Sequence, residues 1–111
     1  MKFKDIKNSK KLFLYAGDLK KWNSISVEKR FKLTNKKWIG LTLPLYGKNG
    51  YGTEDDNHIL FDILNKMPLD DNTVDIYQSE DVHEHIEYDL LTEQINDIYR
   101  CLKKGGLFRF N

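Results

Sequence analysis

The chain is predicted to fold as an α/β domain built on a mainly parallel sheet. Short apolar runs that stop at turn residues supply strands, one amphipathic stripe supplies a helix, and the two kinds of segment alternate along the chain. A length of 111 residues with 40% hydrophobic and 13% aromatic content buries one core, so residues 1–111 are expected to form a single domain.

Leu12-Phe13-Leu14-Tyr15-Ala16 is the first strand candidate, and it stops at Gly17-Asp18. Between Ser24 and Thr34 the apolar residues Ile25, Val27, Phe31 and Leu33 fall on even spacing, yet Ser26 followed by Val27-Glu28-Lys29-Arg30 also fits a helix start, and both readings stand. Trp38-Ile39-Gly40-Leu41-Thr42-Leu43 is rich in strand-favouring side chains and ends at Pro44, which has no amide hydrogen for a ladder. Ile59-Leu60-Phe61 before Asp62 makes a third strand. Val74-Asp75-Ile76-Tyr77, after the turn residues Asp70-Asp71-Asn72, makes a fourth. From Tyr88 to Leu102 the apolar residues Leu91, Ile95, Ile98 and Leu102 step by helical spacing. Arg100, Lys103 and Lys104 suit the negative end of that helix, and Gly105-Gly106 is expected to take its left-handed cap. Leu107-Phe108-Arg109-Phe110 reads as a last strand.

Composition narrows the function. The 18 Lys and Arg nearly cancel the 17 Asp and Glu, so no overall field recruits nucleic acid, although the first third is lysine-rich and Glu54 to Asp97 carries most of the acid. The start lacks a signal-peptide core and no run approaches 18 apolar residues, which argues against a membrane partner. Cys101 is the single cysteine, so neither an intramolecular disulfide nor a cysteine-based zinc cluster can form, and a reducing cytoplasm fits. With no basic residue obviously arranged to activate it, Cys101 reads as a buried, inert thiol.

Ligands in an open parallel sheet sit at the carboxyl ends of the strands, where Gly17, Thr42, Asp62 and the pair Gln78-Ser79 fall. The glycines of Gly47-Lys48-Asn49-Gly50-Tyr51-Gly52 follow no clear strand end and open no amphipathic helix, so they read as a loop, and a phosphate-binding protein built on them ranks last. Glu80, Asp81, His83, Glu84 and His85 do not have the His-Glu-x-x-His spacing of a zinc site, and no metal is expected. His83 titrates near neutrality and is able to act as a base, but a satisfied or solvent-facing imidazole is the plainer reading. Asp75, alternating with Val74 and Ile76, reads as structural.

The second half carries a more specific pattern. Met67-Pro68-Leu69-Asp70-Asp71-Asn72-Thr73-Val74-Asp75-Ile76 is followed by Ser79-Glu80-Asp81-Val82-His83-Glu84-His85-Ile86 and then the helix. From Ile59 to Phe110 this order resembles the S-adenosylmethionine-dependent methyltransferases of the Rossmann-like class. The resemblance implies a Rossmann-like mainly parallel sheet with flanking helices, incomplete relative to a full methyltransferase domain. It also implies S-adenosylmethionine as cofactor and methyl transfer to an acceptor that these residues do not identify. It makes Ala16, Gly17, Thr42, Asp62, Ile63, Gln78, Ser79 and His83 the cofactor-binding residues, with Asp62 at the adenine amino group, Thr42 at the ribose and the turn at Gly17 at the methionine part, and it puts His85 near the cofactor end of the sheet. The chain departs from the family where Tyr15 stands in place of the first glycine of a Gly-x-Gly turn. It departs again where Thr42 replaces a carboxylate that takes both ribose hydroxyls, which weakens ribose binding. Those departures favour a second reading, a methyltransferase-like binding or assembly module without catalysis, while Asp62 and the Ser79 to Ile86 segment oppose it. The resemblance stops short of the family's further strands, and the sheet edge left at the last strand is a place for a second copy to pair.

Overall fold

The computed structural model describes residues 1–17, 38–43, 56–79, 82–83 and 86–110. The expectations placed on Ser24 to Thr34, on Gly47 to Gly52 and on His85 lie outside these residues.

Five strands form one sheet: β1 (Phe13–Ala16), β2 (Trp38–Thr42), β3 (His58–Leu60), β4 (Val74–Ser79) and β5 (Leu102–Phe110). Their order is β3-β2-β1-β4-β5 and every pairing is parallel. This is an open Rossmann-like sheet, and its strand order reverses between β1 and β4. Two helices are described, the single turn α1 (Phe3–Ile6) and the amphipathic α2 (Tyr88–Cys101). None is long and apolar enough to cross a membrane.

Side-chain alternation divides each strand between the two faces. Leu14, Ala16, Leu41, Ile59 and Tyr77 join Ile6, Ile98 and Cys101 in one buried cluster, which is the face that α1 and α2 cover. On this side Phe3 of α1 meets Phe61 edge-on at 5.1 Å. Phe13, Tyr15, Trp38 and Gln78 alternate to the opposite face. There Gly40 is paired in register with His58. The imidazole lies so close over Gly40 that a Cβ at that position would come within 2.5 Å of His58 Cδ2. Glycine is therefore required by the close approach of a ring, in a strand whose other positions bury side chains.

The stripe of α2 is rotated slightly from the one the sequence predicts. Gln94, Ile98 and Cys101 are its buried residues, whereas Leu102 has left the helix and pairs with Val74 at the start of β5. The expected glycine cap is corrected here. Leu102 is extended, and the last carbonyls, of Arg100 and Cys101, accept the amides of Asn72 at 3.0 Å and Thr73 at 2.8 Å. The segment before β4 supplies the donors that a left-handed turn would otherwise supply. Gly105 does have φ +80°, but it lies in an excursion of residues 103–106 between the Val74–Leu102 and Ile76–Leu107 pairs of the ladder.

Two ionic clamps fix the amino-terminal edge of the sheet. Asp97 accepts the Met67 amide at 2.7 Å, and Arg100 donates to the carbonyls of Met67 (2.9 Å) and Leu69 (2.7 Å) and to Asp71 (2.9 Å). This binds the 67–71 turn to α2. The Arg100 guanidinium, drawn down by burial but up by Asp71 and Asp97, is held above its ordinary value overall. Asp75 likewise accepts the Leu12 amide at 2.8 Å and pairs with Lys103 at 3.1 Å, while Lys103 also donates to the Lys10 carbonyl. Asp75 thus ties β4 to the entry of β1 and to the excursion in β5, in keeping with the structural role read for it.

Candidate functional site at the carboxyl edge of the sheet

The register aligns the strand ends. Ala16 is level with Leu41 on one side and Ser79 on the other, Thr42 is level with Leu60, and Ser79 is level with Phe110. Ala16, Gly17, Thr42, Asp62, Ile63, Gln78 and Ser79 therefore share one edge, which passes the β1/β4 reversal where ligands of such sheets lie.

At β1 the chain leaves through Gly17, whose φ of 131° suits a residue without a side chain. At β2 Thr42 is buried, and its carbonyl accepts the Phe61 amide at 2.8 Å, coupling the exits of β2 and β3. Asp62 caps its own turn, with Oδ1 accepting the Leu64 amide at 3.0 Å. Ile63, half-buried, packs against the core cluster. Asp62 is half-buried, so its side chain is open to a ligand at this edge as well as to its turn.

Tyr15 does not stand in this opening. Its side chain is fully buried one residue before the strand end and meets the Trp38 ring edge-on at 6.3 Å. Strand alternation directs the ring to the face that carries Phe13, Trp38 and Gln78.

The end of β4 is chemically distinctive. Gln78 and Ser79 are both 0% exposed, and neither the Gln78 amide oxygen and nitrogen nor the Ser79 hydroxyl has a hydrogen-bond partner among the described residues. Buried polar groups of this kind are rare in native proteins, and each costs about 1–3 kcal/mol when left unpaired. The neighbouring Tyr77 phenol, raised by burial, holds a hydrogen bond with Gln94.

His83 is neither solvent-facing nor placed as a base on an open surface. Both ring nitrogens are shielded, and the imidazole stands edge-on to Phe108 at 5.6 Å and Phe110 at 5.5 Å. The two phenylalanines stack at 5.0 Å. Sequence reasoning took 107–110 simply as a strand. The Phe-x-Phe spacing that sets both rings on one face was the signal for this aromatic cluster.

Cys101 is fully buried, and burial pushes its thiol up to about 11 despite the neighbouring Arg100. No group of three or more potential metal ligands occurs among the described residues. A surface concavity of about 650 Å³ lies at the opposite, amino-terminal edge, between the 67–71 turn and Arg100. The hydrogen bonds of Arg100 to that turn account for it as a structural junction.

Comparison with known proteins adds one finding. A family model described as a methyltransferase domain matches residues 48–110. No curated protein and no solved structure gives a significant match.

Proposed function

The chain belongs to the methyltransferase domain family, and on that premise we propose that it binds S-adenosylmethionine along the carboxyl edge of the sheet and transfers the methyl group to an acceptor. The observation that carries this reading is the orphaned Ser79 hydroxyl at the β1/β4 reversal, with the unpaired Gln78 amide beside it on the other face of the strand. A ligand that donates to or accepts from Ser79 satisfies a group that the described protein leaves unpaired.

Asp62 is the group for the adenine amino hydrogen, since its side chain is half-buried at the exit of β3. Thr42, at the exit of β2, is the group assigned to the ribose, to which its single hydroxyl offers less than a carboxylate. Ala16 and Gly17 let the backbone approach the methionine part closely, and Ile63 gives the adenine an apolar contact. Held by Asp62, Thr42, Ala16 and Gly17, the cofactor would supply an electrophilic methyl group to the lone pair of an acceptor, with S-adenosylhomocysteine as the leaving product. The protein's own contribution is to hold the reactants in line and to exclude competing water.

The test is calorimetric titration with S-adenosylmethionine and S-adenosylhomocysteine on the wild type, Asp62→Ala and Asp62→Asn. Asp62→Ala is expected to weaken binding about tenfold, with Asp62→Asn, which keeps the turn acceptor, in between. A folded wild-type chain that takes up neither ligand refutes the enzyme reading and favours a non-catalytic assembly module.

A second copy of the chain is the partner proposed for β5, the outer strand of the described sheet, where Leu107 is 45% exposed. Sedimentation velocity giving a monomer at micromolar concentration removes that part of the proposal.

A further inference from the structure

We infer that Phe110, backed by Phe108 and held by His83, is the wall against which a planar aromatic acceptor lies; the inference rests on the cofactor reading above. The groups assigned to the cofactor run from Asp62 and Thr42 through Ala16 and Gly17 to Gln78 and Ser79 at the end of β4. The next strand beyond them is β5, so an acceptor that approaches the methyl carbon from the side away from sulfur comes from the β5 side.

What that side offers is aromatic. Ser79 is level with Phe110 in the ladder, so the exposed ring stands beside the orphaned hydroxyl at the end of β4. Phe110 is 60% exposed, although Phe108 stacks on it at 5.0 Å with the planes 29° apart and His83 approaches edge-on at 5.5 Å. A ring braced from two directions loses little freedom on binding, and it extends naturally to one more ring by stacking or edge contact. Arg109, between the two phenylalanines, alternates to the opposite face, so its charge does not project from the aromatic surface. The chemistry suits a flat, neutral ring, and among the described residues of this wall no cationic side chain is offered to an anionic acceptor.

In this arrangement His83 is a positioning residue. Its shielded nitrogens do not face the acceptor, and its ring fixes the angle of Phe110.

The probe is indole, titrated into the full chain with and without S-adenosylhomocysteine and followed by amide and aromatic NMR shifts, with tetramethylammonium as a cationic control. Indole is expected to perturb Phe108, Phe110 and His83. Phe110→Ala is expected to weaken it about fivefold, Phe110→Trp to preserve it, and Leu107→Ala, on the opposite face of β5, to leave it unchanged. For His83 the expected signature is a change in the Phe110 ring shifts in His83→Ala that His83→Phe restores. Shifts that map elsewhere, an unchanged affinity in Phe110→Ala, or a response to tetramethylammonium in place of indole overturn the inference. Calorimetry on the same samples separates the two readings. Heat from S-adenosylhomocysteine with no indole response at Phe110 removes the aromatic wall alone, whereas indole binding without that heat removes the cofactor reading and the acceptor role with it.

Discussion

Replacing Asp75 with alanine removes three interactions at once: the Leu12 amide bond of 2.8 Å and the two Lys103 contacts at 3.1 and 3.2 Å. The Leu12 amide belongs to a buried residue and loses a charged acceptor, which costs about 1.5–3 kcal/mol. The Lys103 pair is partly exposed and adds about 0–1 kcal/mol. A total of about 1.5–4 kcal/mol corresponds to a fall of roughly 6–20 °C in Tm for a domain of this size. Asp75→Asn keeps an acceptor for Leu12 and loses the charge, so it is expected to fall by about half as much. Acid supplies a second readout. Burial raises the Asp75 carboxyl, but the Leu12 amide and Lys103 outweigh it and hold the group below its ordinary 3.8. Its folded value is thus lower than its unfolded one, so its contribution is complete above the unfolded value and is lost as pH falls through the folded value. The stability gap between wild type and Asp75→Asn, followed by circular dichroism, should narrow from pH 6 towards pH 3. A Tm within about 2 °C of wild type for Asp75→Ala, or a gap that does not change with acid, refutes the reasoning.

Gly40→Ala drives a Cβ to within 2.5 Å of the His58 ring, whose Nδ1 is held at 2.9 Å from Asn57 Oδ1, and is expected to cost about 1–3 kcal/mol in urea unfolding. His58→Ala in the same chain should recover part of that loss, and strict additivity of the two changes would show that the ring is not what Gly40 accommodates. Cys101, with its thiol pushed up to about 11, stays protonated at pH 8. A thiol reagent should label it slowly in the native chain and rapidly in denaturant, and fast native labelling contradicts its burial.

The first four strands were legible because each is a short apolar run closed by a turn residue, and those runs recur as β1 to β4 with shifts of a residue or two at their ends, whereas β5 begins five residues before the expected Leu107, at Leu102. The end of α2 was not legible, because its cap comes from Asn72 and Thr73, far upstream in the chain, and no local rule for Gly105-Gly106 sees those donors. Tyr15 was read as a departure from the family's first glycine, and the contact of its ring with Trp38 follows from strand alternation and the pairing of β1 with β2, which no local pattern states. The expected edge residues from Ala16 to Ser79 do come together, since their positions follow from strand ends alone. His83 and Phe110 meet through a contact between a loop and a strand, and nothing in either segment alone announces it.

The junction between α2 and the 67–71 turn also bears on how the molecule opens. Asp97 and Arg100 hold that turn, and the Asn72 and Thr73 amides close the helix, so β4 cannot leave the sheet without releasing α2 and β5 as well. In native-state hydrogen exchange the amides of β4 and α2 should share one opening free energy, with β3 at the far edge exchanging earlier. Residues 67–110 then behave as one cooperative block, onto which β1 closes across an intervening stretch of chain that includes β2 and β3, at a cost in chain entropy that this block must already be ordered to repay.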